Sequence, residues 1–531
     1  MKRFTELFVE LDRTNRTNRK VDALETYFRD ARPEDAVWAL YVLMGARLPR
    51  AIPTGRLREW IAERAGLPLW LVEESYDVVG DLAETLSLLL RDECETEEQP
   101  LHRIVTDRIL PLKGLEEDER RAHLFDTWGG LTRDERFVFN KLITGNFRVG
   151  VSRTLVCRAL SRIAEVDTAV MSHRLMGDWS PERVSFQELV FEASDAGPGK
   201  PYPFYLAHAI EQKPESLGPI ETWQAEWKWD GIRAQWIFRH GEVMVWSRGE
   251  ELMTDRFPEL AEPPAGVPEG TVLDGEILVW RGEAPRPFFE LQKRIGRKKV
   301  SKKMLSDFPV IFMVYDVMEW QGQDVREEAL GDRRRLTDIL FESMVGETAF
   351  RRSEPVGARD WAELKALRAT SRERGVEGFM LKRRDSAYGV GREKGAWWKW
   401  KVDPMTIDAV LIYAQQGHGR RAGLYTDYSF GLWQDEELVT VAKAYSGLTD
   451  EEIRRVDRFI RANTLERHGP VRVVQPELVF ELAFENVQRS PRHKSGVAVR
   501  FPRMNRWRED KQAKDADTLD GLKSLLPEPP S

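Results

Sequence analysis

Apolar residues in the first part of the chain return with the period of a helix. Phe4, Leu7, Phe8 and Leu11 fall at i, i+3, i+4 and i+7, and similar spacing recurs around 34–46, 69–90, 134–144 and 153–164. Strand signals are scarce there, so residues 1–204 are predicted to form an all-α region. The stretch 196–204, rich in proline and glycine, cannot continue a helix and marks a boundary. Beyond it the pattern turns to short alternating strands at 223–238, 242–247, 271–280, 310–317, 378–382 and 397–401. Helical stretches near 288–295, 328–344 and 359–373 separate some of them, which makes 205–404 a mixed α+β region.

After residue 404 strands continue at 406–413, 429–433, 438–445 and 478–484, with one helix over 450–463. That run predicts a small C-terminal β-barrel of the oligonucleotide-binding (OB) type over 405–531, although periodicity alone does not separate a barrel from a sandwich. The whole is a multidomain chain of three parts, in keeping with its 531 residues. Net charge is only −7, so any basic surface must be local. The two cysteines, Cys94 and Cys157, exclude a four-cysteine zinc module and a disulfide framework and suit a reducing compartment. No signal-peptide pattern and no run of about 18 apolar residues is present, so a cytoplasmic protein without a membrane span is expected. The acidic patch at 92–98 reads as a solvated loop or helix end.

The candidate chemistry centres on Glu226-Trp227-Lys228-Trp229-Asp230-Gly231-Ile232-Arg233. As one extended strand it would place Glu226, Lys228 and Asp230 on one face and bury Trp227 and Trp229 on the other. A lysine with its ordinary pKa of about 10.4 is protonated at neutral pH and must lose that proton before it can attack. Taken alone, the stretch fits a nucleophile's strand and a solvated amphipathic edge equally well. Five further stretches have the same chemical character, with charged or aromatic residues set into short apolar strands and turns. They are Ser247-Arg248-Gly249-Glu250, Leu273-Asp274-Gly275-Glu276-Ile277, Val314-Tyr315-Asp316-Val317, the segment 376–382 with Glu377, and Trp397-Trp398-Lys399-Trp400-Lys401. A basic cluster follows at 500–511. A lysine, separated carboxylates and paired lysines are what nucleotidyl transfer onto lysine requires, because charge building on the α-phosphate must be neutralised by cations. Earlier, Lys141 to Arg153 breaks a helical pattern with two glycines and Ser152, a geometry that suits a phosphate or an ordinary helix cap.

In this order the stretches resemble the motifs of the covalent nucleotidyltransferase superfamily of DNA ligases, RNA ligases and mRNA capping enzymes. Lys228-Trp229-Asp230-Gly231-Ile232-Arg233 matches its lysine-x-aspartate-glycine-x-arginine motif. Within the superfamily the chain resembles the bacterial ATP-dependent DNA ligases of three domains. That resemblance implies a helical DNA-binding domain (1–204), an ATP-grasp-like adenylation domain (205–404) and an OB-fold (405–531). It implies that Lys228, with Asp230 as partner, takes AMP from ATP and passes it to the 5′-phosphate of a nick, which the 3′-hydroxyl then closes. Glu226 would read adenine, Arg233 and Glu276 the ribose, Arg248 a nucleotide or nick phosphate, and Tyr315 would stack on the purine. Lys399, Lys401 and Arg392 would hold the α-phosphate. Glu276 and Glu377 would meet Mg²⁺, or Mn²⁺ in its place. Arg503, Arg508, Asp510 and Lys511 would orient pyrophosphate after a swing of their domain, and Arg148, Ser152 and Arg153 would grip DNA.

The implied partner is nicked duplex DNA, met by a monomer in the cytoplasm and at the nucleoid. An RNA ligase or a capping-type guanylyltransferase is the alternative within the superfamily, and a non-catalytic nick binder a more remote one. The chain departs from the pattern after Arg248, where Gly249-Glu250-Glu251 stands in place of the asparagine and glycine of many relatives. The basic run 293–303 reads as a phosphate-tracking surface or a solvated loop.

Overall fold

The computed structural model describes residues 1–531 apart from 15, 92–97, 146, 148, 178, 193–198, 298–299, 418–422 and 527–531. The acidic patch, the start of the 196–204 boundary (196–198) and Arg148 therefore lie largely or wholly outside the described residues. The chain divides into two compact units, one of Met1–Val9, Ala46–Val149 and Asp403–Ser531, the other of Glu10–Gly45 and Gly150–Val402. Among the described residues no helix is long and apolar enough to cross a membrane.

In the first unit the helices Thr54–Ala65, Leu69–Val79, Leu82–Leu88, Glu117–Gly129 and Arg133–Thr144 carry the apolar stripes. The predicted continuous helix over 69–90 is two helices. Gly80, at φ 74°, ends the first, and Asp81 caps the second by accepting from the Glu84 N–H at 3.1 Å. Apolar spacing runs through the break unaltered, so periodicity alone did not reveal it.

The C-terminal part of this unit is β-rich. Met405–Gln416 is its long central strand, pairing with Tyr425–Gln434, Val471–Val474 and Val479–Phe484, and Arg503–Trp507 extends the sheet from the last of these. Register shifts near Leu411 and Gln415 let one strand serve several partners. Tyr428, Phe430, Leu432, Phe480, Leu482 and Phe484 fill its core, with Val456 and Ile460 of helix Asp450–Ala462 against them. The strands Thr464–His468 and Arg503–Trp507 lacked a sequence signal because exposed charged residues interrupt their alternation.

The second unit holds the helices Thr17–Asp30, Pro33–Leu43, Arg153–Ala164 and Thr168–Arg174 and two largely antiparallel sheets. One sheet has the order His208–Ala209, Trp397–Lys401, Gly378–Arg383, Trp223–Trp227, Pro355–Val356. The other is built on Glu242–Ser247, Ile232–Arg239, Thr271–Arg281 and Val310–Trp320. Ile237, Trp246, Val272 and Met318 of the second sheet meet Trp397 of the first in one buried cluster with Tyr202, Tyr205 and Tyr388. The sheets are thus packed on each other, and a segment passing between them is held from both sides.

Helix Leu330–Ser343 is tied to the second sheet by a buried ion pair. Arg333 Nε and Nη2 donate to the two carboxylate oxygens of Asp316 at 2.8 and 3.0 Å, with both side chains at most 1% exposed. Removing one partner of such a pair strands a buried charge. Arg333→Ala should therefore lower unfolding free energy by about 3–5 kcal/mol, measured by denaturant unfolding.

Candidate active site

The strand Trp223–Trp227 ends one residue before Lys228, and the next strand, Ile232–Arg239, belongs to the other sheet. The expected single strand over 226–233 is therefore two strands joined by a turn, and Glu226, Lys228 and Asp230 do not share a strand face. Nor are the tryptophans a common buried face. Trp227 stacks on Phe379 of the first sheet at 4.5 Å, while Trp229 meets Trp280 edge-on at 6.0 Å and packs with Leu278, Ile311 and Met313 of the second. Each aromatic ring anchors the turn to a different sheet, and Lys228 stands between them. Gly231 completes the turn, since a Cβ there would lie 2.3 Å from the Ile277 carbonyl oxygen and 2.9 Å from Glu276 Cγ.

The Lys228 backbone is fixed as well. Its N–H donates to the Gly378 carbonyl, and its own carbonyl accepts from the Glu377 N–H, each at 2.8 Å. This pairing delivers the side chains to one another: Lys228 Nζ donates to Glu377 Oε2 at 2.5 Å, and Lys401 Nζ lies 3.3 Å from the same oxygen. Gly378 permits the close strand approach, because a Cβ there would come within 2.3 Å of the Trp400 carbonyl oxygen. Burial would raise the Glu377 pKa, but the charges of Lys228 and Lys401 outweigh it and hold the carboxyl below its ordinary range. Lys399 is shifted down by burial and then by Arg392, Lys401 and Lys228, with Glu377 opposing. Lys228, Lys399, Lys401, Arg392 and Glu377 thus form one electrostatic group. Asp230 is half-buried on the turn beside it.

From the second sheet come Glu276 and Tyr315, the Tyr315 hydroxyl donating to Glu276 Oε2 at 3.0 Å. Burial lifts the Glu276 carboxyl to about 7, against the opposing pull of Lys228, Tyr315 and Arg233. Arg233 is directly behind, its Nε and Nη2 donating to both oxygens of buried Asp274 at 3.1 and 2.7 Å and its Nη1 to the Tyr205 carbonyl at 2.6 Å. Tyr388 closes this network, giving its proton to Asp274 at 2.7 Å and accepting from Arg233 at 3.2 Å. Glu226 is only 1% exposed and is ion-paired with equally buried Lys382, while Gln224 Nε2 donates to it at 2.7 Å. Lys382 Nζ in turn lies over the rings of Tyr315 and Trp397, 4.7 and 4.5 Å from their centroids. Arg248 and Arg392 are exposed at the rim.

The distal basic cluster lies within the C-terminal β-rich region. Asp408 Oδ2 accepts from Arg508 Nη1 and Lys511 Nζ, both at 2.7 Å, and Arg508 binds both oxygens of Asp510 and holds that carboxyl well below its usual range. Arg503 pairs with Glu485 at 3.2 Å.

Comparison with known proteins supplies the deciding observation. The family models for the DNA ligase N terminus, the ATP dependent DNA ligase domain and the ATP dependent DNA ligase C terminal region match residues 1–161, 205–401 and 421–511. A probable DNA ligase of Koribacter versatilis is 33% identical over 96% of this chain and 94% of its own length. The chain belongs to the ATP-dependent DNA ligase family. DNA ligase 1 of Korarchaeum cryptofilum is 27% identical over 99% of this chain and 98% of its own. The solved structure Pmar-Lig_PreS3, 14% identical, covers 95% of this chain and 99% of its own at a TM-score of 0.60, which speaks to fold alone. The ligase accordingly has the three-part architecture of its family, helical at the N-terminus and β-rich at the C-terminus.

Of the ligase's candidate DNA-contacting residues, Ser152 is the N-cap of helix Arg153–Ala164, its hydroxyl accepting from the Leu155 N–H at 3.4 Å. Arg153 donates through Nε to the Met44 carbonyl at 2.7 Å and is ion-paired with Glu250. The basic run 293–303 is not one surface, since Arg294 is fully buried and bonds Glu259 through Nη1 at 2.7 Å. Sequence reasoning missed the supporting roles of Asp274, Lys382 and Tyr388. Asp274 had a signal, as the second carboxylate on the face of Glu276, and Lys382 had one as a charge inside an apolar strand. Tyr388 lies on a loop and had none.

The raised Glu276 carboxyl gives a stability test. A neutral carboxyl is favoured in the folded ligase, so the stability that Glu276 confers is present below pH 4.5 and lost as pH rises through about 7. Without metal or nucleotide, Glu276→Gln should gain on the unaltered protein between pH 5 and pH 8, by something on the order of 3 kcal/mol, followed by denaturant unfolding across that range.

Proposed function

We propose that this ligase seals 5′-phosphate/3′-hydroxyl nicks in duplex DNA through a lysyl-AMP intermediate. The carrying observation is the placement of Lys228 against Glu377, with Lys399, Lys401 and Arg392 sharing its field. Lys228 Nζ attacks the α-phosphorus of ATP, forming the N–P bond while the bond to pyrophosphate breaks. The AMP passes to the 5′-phosphate of the nick, and the 3′-hydroxyl then displaces it as the phosphodiester forms. Lys399, Lys401 and Arg392 bind and neutralise the phosphoryl oxygens. Tyr315 offers its ring to the purine and Arg248 its exposed guanidinium to a phosphate. Glu226 acts from beneath the adenine site through its pair with Lys382, and Arg233 supports the ribose side through Asp274 and Tyr388.

Lys228 must lose its proton before attack. Glu377 accepts a hydrogen bond from its ammonium and Asp230 stands on the same turn, so both are placed to orient the amine. Glu276 and Glu377 suit Mg²⁺, because that ion takes one or two carboxylates and completes its shell with water and substrate phosphate. Among the described residues no cluster of three or more ligating side chains forms a self-sufficient site, in keeping with an ion shared with the nucleotide. Mg²⁺, or Mn²⁺ in its place, would supply positive charge at the α-phosphate and loosen the hold of Glu377 on the Lys228 proton.

The same reading takes 1–204 as the DNA-binding domain, 205–404 as an ATP-grasp-like adenylation domain and 405–531 as an OB-fold. Arg503, Arg508, Asp510 and Lys511 of the last serve the pyrophosphate-releasing step. Nicked duplex DNA incubated with the protein, ATP and Mg²⁺ should be sealed, whereas Lys228→Ala should leave it open and GTP or NAD should not replace ATP. Preferential sealing of nicked RNA, or use of GTP, would favour the RNA-ligase or capping reading instead. A protein ending near residue 404 should lose self-adenylation and keep a measurable rate on pre-adenylated nicks; equal loss of both would count against the role given to the C-terminal residues.

A further inference from the structure

The turn carrying Arg248 is built with a residue that its backbone disfavours. Glu250 sits at φ 61°, in the left-handed region where a side chain costs conformational energy. The turn is nevertheless tightly bonded. Ser247 N–H donates to the Glu251 carbonyl and Glu250 N–H to the Ser247 carbonyl, both at 2.9 Å, and Ser247 Oγ accepts from the Glu251 N–H at 3.2 Å. Arg248 N–H donates to the Arg233 carbonyl at 2.9 Å, so the turn is fixed to strand Ile232–Arg239 while the Arg248 side chain stays exposed.

What the glutamate adds is a partner on a different element. Its carboxylate, 19% exposed, is ion-paired with Nη1 of Arg153. Arg153 is the first residue of helix Arg153–Ala164, directly after the Ser152 cap, and its Nε is taken by the Met44 carbonyl at 2.7 Å. Glu250 therefore links the N-terminus of that helix to the turn that presents Arg248, and Arg153 is held from two sides.

We propose that Glu250 is a positioning residue for nick sealing, acting through Arg153 to hold the Arg248 turn and the start of helix Arg153–Ala164 in one DNA-facing arrangement. Arg153 serves as a strut in that arrangement and does not itself grip DNA. A partly exposed ion pair adds little to stability and a left-handed glutamate subtracts a comparable amount, so the pair is not maintained by its contribution to folding. Misplacing a phosphate-binding group by a small distance, by contrast, costs rate steeply. The inference rests on the nick-sealing reading above.

The test separates the two halves of the reaction, using full-length protein. Glu250→Gly should match the unaltered protein in self-adenylation with labelled ATP and melt at the same or a higher temperature, yet seal a pre-adenylated nick about tenfold more slowly in single turnover. The exchanged pair Glu250→Arg with Arg153→Glu restores the ion pair but not the Met44 bond, and it should seal at least about threefold faster than either substitution alone. Unchanged or faster sealing by Glu250→Gly would overturn the proposal, since releasing a DNA-gripping Arg153 gives that result. Parallel loss of self-adenylation, or no recovery in the exchanged pair, would also overturn it. An unaltered protein that fails both assays would overturn the functional reading and this inference with it.

Discussion

The site depends on one ion pair, Lys228 with Glu377, and on the backbone ladder that enforces it. Two reciprocal hydrogen bonds between Lys228 and the 377–378 segment make the side-chain contact a consequence of strand pairing. The same ladder brings Lys401 to the carboxylate. A carboxylate shared by two lysine side chains stays ionised despite burial, and its hydrogen bond holds the Lys228 side chain in place. Lys399 and Arg392 add positive charge without adding carboxylate.

The two sheets supply different halves of the chemistry. The first carries Glu377, Lys399 and Lys401 beside Lys228, a cation-rich side. The second provides Glu276, Tyr315 and the buried Arg233–Asp274–Tyr388 network, where burial and hydrogen bonds outweigh free charge. Trp227 and Trp229 pin the connecting turn to both sheets, so the position of Lys228 is set by packing against rigid cores.

Much of this was legible in the sequence because motif spacing and strand alternation coincide. The strands over 242–247, 271–280 and 397–401 and the helices near 134–144 and 153–164 fall where their periodicity placed them. The turn at Lys228 was not legible, because lysine and aspartate alternating with tryptophan look like a continuing strand; only the packing of Gly231 on Ile277 shows why the chain must bend there. Glu226 looked like an accessible reader of adenine, but its burial depends on Lys382, which is remote in sequence and whose pairing arises from strand register. Tyr388 and the Glu250–Arg153 link are likewise tertiary facts, with no local pattern to announce them.

The central claim is that Lys228, and no other lysine of the cationic cluster, is the nucleophile. The most direct measurement is peptide mapping of the protein after incubation with ATP and Mg²⁺ to find the residue that carries AMP. The account predicts AMP on Lys228; AMP on Lys382, Lys399 or Lys401, or no covalently bound AMP, would contradict it.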